Sequence, residues 1–445
     1  DPLPNMLHVG HEEARRLMGE TLEDGPVARL MTWAYDQPDE TLKIIHIRDW
    51  HDSGDHRQEE HLHQFGNHCL KDGDGATFAF PEKEHRPVTV INSPGLNDFI
   101  DTDLSRILDG EIRALKKVGL VGVWTEAKVL FLAYELRTRY PDLEIGVCSA
   151  LTASSSRSHH FMALDQMTRL LGVRVFSSVG EFTAFLTGSA LNLALPQTKK
   201  GCSVELAFDG EARVGDTDRQ LIQYLFRDCR SVCLKVLDGG FSGNLVLGSQ
   251  SVDLFGHQQV SYVVKIGPQG PIGRERTAFE QIENVLGNNA PSIVEFADFN
   301  GRGALKYRYA AMGGGFSTTF QKRYRSGMAL PKTREILSSV FSDQLGRFYA
   351  ASTHERMNLL EHYWFSPERA PTVRKAVESI MKQKCDDAVL SFENGKSCPN
   401  ICWFYEKELA DLIPIATRYT YMSFVHGDLN GANIIIDAHE NVWLI

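Results

Sequence analysis

Two short stretches carry the residue types that bind metals. IHIRDWHDSGDH (residues 45–56) is followed by FGNHCLKDGDGATF (65–78). On an extended strand Asp49 and His51 project to the same face, because side chains alternate with period two, and a returning loop can bring His56 and His68 to that place. A carboxylate with two or three imidazoles suits Zn²⁺ or Fe²⁺ and leaves a coordination position for water or substrate. His46, His61 and His63 stand close by. The same composition also describes a histidine-rich surface loop.

The second unusual stretch is GLVGVWTEAKVLFLAYE (119–135). It predicts a buried strand, Gly119 to Trp124, that breaks into an amphipathic helix from Thr125. A helix N-terminus is where a nucleophile gains from the dipole, since thiolate is stabilised there and becomes reactive. Here the position holds Lys128, and the same field disfavours an ammonium by about 0.3 to 1 kcal/mol. Lys128 either gives up its proton and takes part in chemistry, or snorkels from a degenerate pocket or pairs with an acid such as Glu126.

Phosphoryl-transfer chemistry is suggested further along. LDGGFSGNLVL (237–247) places glycines between two predicted strands, SYVVKIG puts Lys265 on the next one, and RERTAFEQI puts Glu275 on a helix where it can orient that lysine; Glu280 is the less favoured partner. FVHGDLNGANIIIDAHENVWLI then supplies Asp428 and, five positions on, Asn433. A carboxylate to accept a hydroxyl proton and an amide oxygen to hold Mg²⁺ are what such a transfer requires.

The elements that must position these groups fall into two parts. The chain has 445 residues, enough for two domains of about 200 residues each. Up to about Leu195, strands (TLKIIHI, PVTVINS, VGLVGVW, LEIGVCSA, VRVFSS) alternate with helices, which predicts an α/β parallel sheet covered on both faces, in the three-layer Rossmann manner, with any site at the carboxyl ends of the strands. Residues 196–216 are polar and rich in Gly and Asp and read as a linker. Residues 217–445 place strands before helices, an α+β pattern. The expected domains are thus 1–195 and 217–445.

A net charge of −10 without a basic stripe excludes a nucleic-acid partner, and the broken apolar runs exclude a membrane span. Eight scattered cysteines favour a reducing, cytoplasmic setting, although the C-x3-C pairs Cys229/Cys233 and Cys398/Cys402 have the makings of a thiolate zinc site. The opening DPLPNM and the closing NVWLI read as cut ends, so a targeting peptide goes unjudged.

Residues 1–185 resemble the isochorismatase-like cysteine hydrolases, nicotinamidases above all, through RDWH with a second His five positions on, through HC and GA before Phe78, and through NDFIDTDL and the VGVWTEAKV elbow. The resemblance implies that Asp49, His51, His56 and His68 bind a divalent metal that holds a substrate ring nitrogen, and that the family's first strand, with its catalytic Asp, lies before residue 1. It also places Lys128 where the family has its nucleophilic Cys and Ser93 where the family has its Lys. A Ser93–Lys128 nucleophilic pair, or metal-bound water, would be the remaining routes to hydrolysis of an amide or enol ether.

The second half is similar to the aminoglycoside phosphotransferase and choline kinase group, and closer still to ternary-complex-associated kinase-like domains, through GGFSG, VHGDL and HGD-x4-N. By that resemblance Gly239, Gly240, Ser242 and Gly243 cover the phosphates of ATP, Lys265 contacts them while paired with Glu275, residues 307–315 hold adenine, Asp428 is the base and Asn433 a Mg²⁺ ligand. The family continues WLI into a further metal-binding Asp, so the segment ending at Ile445 is expected to be inactive. The combined expectation is an inactive, metal-binding hydrolase-like domain fused to a kinase-like phosphotransferase that acts on a small-molecule or protein hydroxyl, possessing a homo-oligomer as the family habit; the alternative is a scaffold of two pseudoenzymes.

Overall fold

The computed structural model describes residues 8–19, 25–80, 86, 88–188, 204–209, 214–237, 244–286, 292–308, 318–392, 394–437 and 439–444. It divides into two compact units, Asp1–Ala329 with Leu429–Ile445, and Leu330–Asp428.

The first unit opens with α1 (His11–Met18) and α2 (Pro26–Tyr35). β1 (Ile45–Asp49), α3 (Glu59–Phe65), β2 (Thr89–Ser93) and α4 (Leu104–Glu111) follow. Then come β3 (Lys117–Val123), α5 (Leu130–Arg139), β4 (Glu144–Ala153), α6 (Arg157–Leu171), β5 (Arg174–Phe176) and α7 (Val179–Thr187). β1 pairs in parallel with β2, and β3-β4-β5 form a second parallel ladder. β4 is buried at every residue but Glu144 because it is covered on both faces, as its unbroken run of apolar and small residues requires. On one face Val147 packs with Leu120, Leu136, Leu164 and Met167; on the other Cys148, Ala150 and Leu151 pack with Leu30, Trp33 and Phe182. Ser156 and Ser178 cap α6 and α7 by accepting from the backbone N–H of His159 and Glu181.

A second sheet begins inside the stretch that reads as a linker. β6 (Glu205–Asp209) and α8 (Asp216–Leu225) lead into β7 (Cys229–Val236), β8 (Leu245–Asp253) and β9 (Tyr262–Pro268). α9 (Gln269–Leu286), β10 (Ile293–Phe299) and β11 (Arg302–Arg308) complete it. The strand order is β10-β11-β9-β8-β7-β6, antiparallel except for the β6–β7 pair. The linker reading fails at 204–209 because Val204, Leu206 and Phe208 alternate toward the core that α8 forms with Leu221, Ile222 and Leu225, while their polar surroundings hide the pattern. β12 (Thr318–Thr319) and α10 (Phe320–Arg325) stand beside strands Ile434–Ile436 and Val442–Leu444.

The second unit is mainly helical. Helices Leu330–Ser338, Leu345–Ala350 and Ala370–Met381 accompany an antiparallel pair, Thr353–Asn358 with Thr417–Met422. Arg374 gathers Glu378, Asp386 and Glu406 beside a small core of Ala370, Tyr405 and Leu409. Among the described residues no helix is long and apolar enough to cross a membrane.

Candidate functional sites

β1 ends at Asp49, and the chain returns so that His51 bridges to Leu70, bringing His68 beside it. The ring of His51 lies 4.5 Å from that of His68 and 4.8 Å from that of His61, centroid to centroid. Ligand nitrogens of His51, His61 and His68 all lie within 4.8 Å of one another. Two of these rings are held as metal ligands usually are. Gly66 O accepts from His68 Nδ1 at 2.7 Å, and Gln58 Oε1 accepts from His51 Nδ1 at 3.0 Å, which leaves each Nε2 with its lone pair. Both Nε2 atoms are buried and have no protein partner. Burial also pushes the pKa of His51 and His61 down, favouring the neutral, ligating form.

His56 is not part of this cluster. It sits on the single turn His56–Gln58 with its side chain 90% exposed, near Asp55. The third imidazole comes from His61 on α3, whose position is set by a helical turn that the residue spacing does not reveal. Asp49 is nearby in sequence, but its Oδ1 faces Lys128 Nζ at 2.8 Å.

Lys128 lies in the helical turn Thr125–Val129 between β3 and α5. Its ammonium meets Asp49 Oδ1 at 2.8 Å, Asp98 Oδ1 at 2.7 Å and Ser93 Oγ at 2.9 Å. Three acceptors thus meet three N–H donors. The acid partners are Asp49 and Asp98, not Glu126, which instead accepts from Ser155 N and Oγ. Burial pushes the Glu126 carboxyl up, but hydrogen bonds from Ser154 and Ser155 outweigh it and the net shift is down.

The structure does bring Ser93 to Lys128, but in an order unsuited to nucleophilic attack. Lys128 donates to Ser93, and Ser93 Oγ in turn donates to Gly95 O at 3.1 Å, so the hydroxyl proton points away from the amine. Ser93 is 0% exposed. Asp98 lies in the NDFIDTDL stretch, and nothing in the sequence singled it out; its signal would have been an acid flanked by Phe99 in a buried segment opposite an unexplained lysine.

In the second sheet Lys265 stands on β9 and Glu275 on α9, with Nζ 2.8 Å from Oε1 and 2.7 Å from Oε2. Val246 of β8 pairs with Lys265 in the antiparallel ladder. Gly239, Gly240, Ser242 and Gly243, and 309–315 of the expected adenine segment, lie outside the described residues. Glu280 pairs not with Lys265 but with Arg157, at 2.9 Å. Asp428 is the last residue of the second unit and Asn433 belongs to the first. Asn433 donates its backbone N–H to Asn430 O at 3.0 Å and leads into the buried strand Ile434–Ile436.

Neither cysteine pair belongs to a metal-binding cluster among the described residues. Cys229 and Cys233 lie on one strand, about 13 Å apart along an extended chain. Among the described residues His51, His61 and His68 are the one cluster of metal-binding types.

Residues 26–178 are an isochorismatase domain. Residues 229–394 match ternary complex associated domain 9, consistent with a kinase-like fusion. Among solved structures, the isochorismatase domain is similar to the nicotinamidase/pyrazinamidase from Bacillus subtilis, at 20% identity over 38% of this chain and 88% of that one, with a TM-score of 0.32. A pyrazinamidase/nicotinamidase from Streptococcus mutans shows 24% identity over 38% of this chain and 90% of its own, with a TM-score of 0.32. A pyrazinamidase of Pyrococcus horikoshii in complex with zinc shows 22% identity, covering 33% and 82%, with a TM-score of 0.29. No curated protein matches the chain.

Proposed function

We propose that the protein is a kinase-like phosphotransferase carrying an isochorismatase domain that has lost thiol-dependent hydrolysis. The observation that carries the first part is the Lys265–Glu275 pair, made by both carboxylate oxygens between β9 of the mostly antiparallel sheet and the helix that follows it. In phosphoryl transfer such a pair holds the lysine ready for the nucleotide phosphates. Asp428 would serve as the base toward a hydroxyl of a small molecule or protein, and Asn433 would hold Mg²⁺ at ATP.

Loss of thiol chemistry follows from Lys128, which offers an ion-paired ammonium where the nucleophile would stand. The histidine cluster nevertheless fits a divalent ion: two buried Nε2 lone pairs and a third imidazole, with zinc favoured by an all-nitrogen set. A bound ion would supply a Lewis-acidic anchor for a heteroatom of a small ligand. His51 and His68 are pre-oriented for it by Gln58 and Gly66.

The test is Mg·ATP binding to the full-length protein by calorimetry, beside Lys265→Ala. Binding that this substitution weakens supports the reading. A protein that binds no nucleotide would instead be a scaffold of two inactive folds.

A further inference from the structure

α9 turns two faces to two different partners. Glu275 reaches Lys265 in its own sheet, while the next residue, about 100° around the helix, points into the isochorismatase domain. Arg276 is 3% exposed and donates to Ser149 Oγ at 2.7 Å and to Ser177 O at 3.0 Å. Thr277 Oγ1 donates to Ser177 Oγ at 3.0 Å. One turn on, Glu280 takes Arg157 Nη2 of α6 at 2.9 Å, and Arg157 is itself held by Glu13 of α1 at 3.0 Å. Gly273 permits this closeness, since a Cβ there would stand 3.0 Å from Ser177 O.

The strand after α9 is fastened in the same way. Asp298 of β10 accepts from Ser178 Oγ at 2.7 Å and from Gly180 N at 2.9 Å, at the start of α7. Arg29 of α2 donates to Asp298 O at 2.6 Å. Buried charges such as Arg276, Glu280 and Asp298 require partners. The isochorismatase domain supplies those partners, so this face of α9 is built to be covered.

We propose that the isochorismatase domain is a built-in brace for α9, and that Arg276, Glu280 and Arg157 are positioning residues for the Lys265–Glu275 pair. The inference rests on the phosphotransferase reading in that the pair matters for nucleotide. Where such a pair must be in place for transfer, the position of its helix controls activity. A domain fixed to the helix by buried polar contacts then sets whether Glu275 meets Lys265.

The full-length protein and its Arg157→Ala, Arg276→Ala, Glu275→Gln and Glu275→Gln/Arg276→Ala variants would be compared by hydrogen exchange and by Mg·ATP affinity. Loosening the brace should speed exchange in residues 269–282 while α8 and β8 stay protected. Each single substitution should weaken Mg·ATP by about tenfold, and Arg276→Ala should weaken it no further once Glu275 is Gln. Arg157→Ala, made outside the sheet, guards against an Arg276 variant that does not fold. Unchanged exchange in α9, or an equal loss of affinity in the Glu275→Gln background, overturns the brace. A wild-type protein that binds no Mg·ATP overturns the phosphotransferase reading instead, and the exchange result then decides the brace alone.

Discussion

Lys128 Nζ lies 2.7 Å from Asp98 Oδ1, and that carboxylate is 3% exposed. Asp98 is nearly sealed from water, so little solvation compensates for a lost partner. Lys128→Ala should therefore lower the unfolding free energy by about 3 to 5 kcal/mol, the usual cost of leaving one partner of a buried pair. Adding Asp98→Asn should recover part of the loss. Urea denaturation checks this, and a Lys128→Ala variant as stable as the parent would show that the socket holds nothing together.

His61, rather than His56, completes the imidazole cluster. His61→Ala should weaken Zn²⁺ binding in a chelator competition by more than the roughly 10- to 100-fold that loss of an outer-shell partner costs. His56→Ala should leave it unchanged. The reverse ranking would return the site to the arrangement that the sequence spacing suggests.

Much of this architecture was legible in the residues themselves. The alternation of strands and helices, the elbow at Thr125 and the Lys265–Glu275 pairing all rest on local periodicity or on short spacings, and local rules reach that far. What depends on tertiary return is not legible in local spacing. β6 was hidden by polar neighbours, His61 by a helix whose phase had to be known, and Asp98 by a partner 30 residues away. Glu280 illustrates the same limit: its spacing on α9 is legible, but only the fold shows that it faces Arg157.

His160 gives a pH signature. It is fully buried with Nδ1 hydrogen-bonded to Thr125 Oγ1, and burial, reinforced by Arg16, Arg157 and Arg276, pushes its pKa down to about 2. The unfolded chain takes up a proton at about 6.5 and the folded one does not. The resulting stability is fully present above about pH 6.5 and is lost as pH falls below it, by about 1.4 kcal/mol per unit. His51 and His61 are shifted in the same direction, so the difference between variants is the useful quantity. Between pH 6.5 and 5, above the range where most carboxylates titrate, His160→Gln should show a shallower dependence by about one proton. Equal slopes would mean that His160 is protonated in the folded protein.

The phosphotransferase reading also predicts that binding and turnover separate. Lys265 faces its glutamate through both carboxylate oxygens, and on that reading a lysine so held would meet nucleotide before any chemistry begins. Lys265→Ala should thus weaken Mg·ATP binding itself. Asp428, by contrast, would act on the acceptor hydroxyl, so Asp428→Asn should leave nucleotide affinity within about twofold and lower the rate of transfer by about 10²- to 10⁴-fold. Titration calorimetry and release of ADP with a panel of hydroxyl acceptors measure the two effects. Loss of nucleotide binding in Asp428→Asn, with transfer and binding falling together, would assign Asp428 to holding the metal and leave the base to another residue.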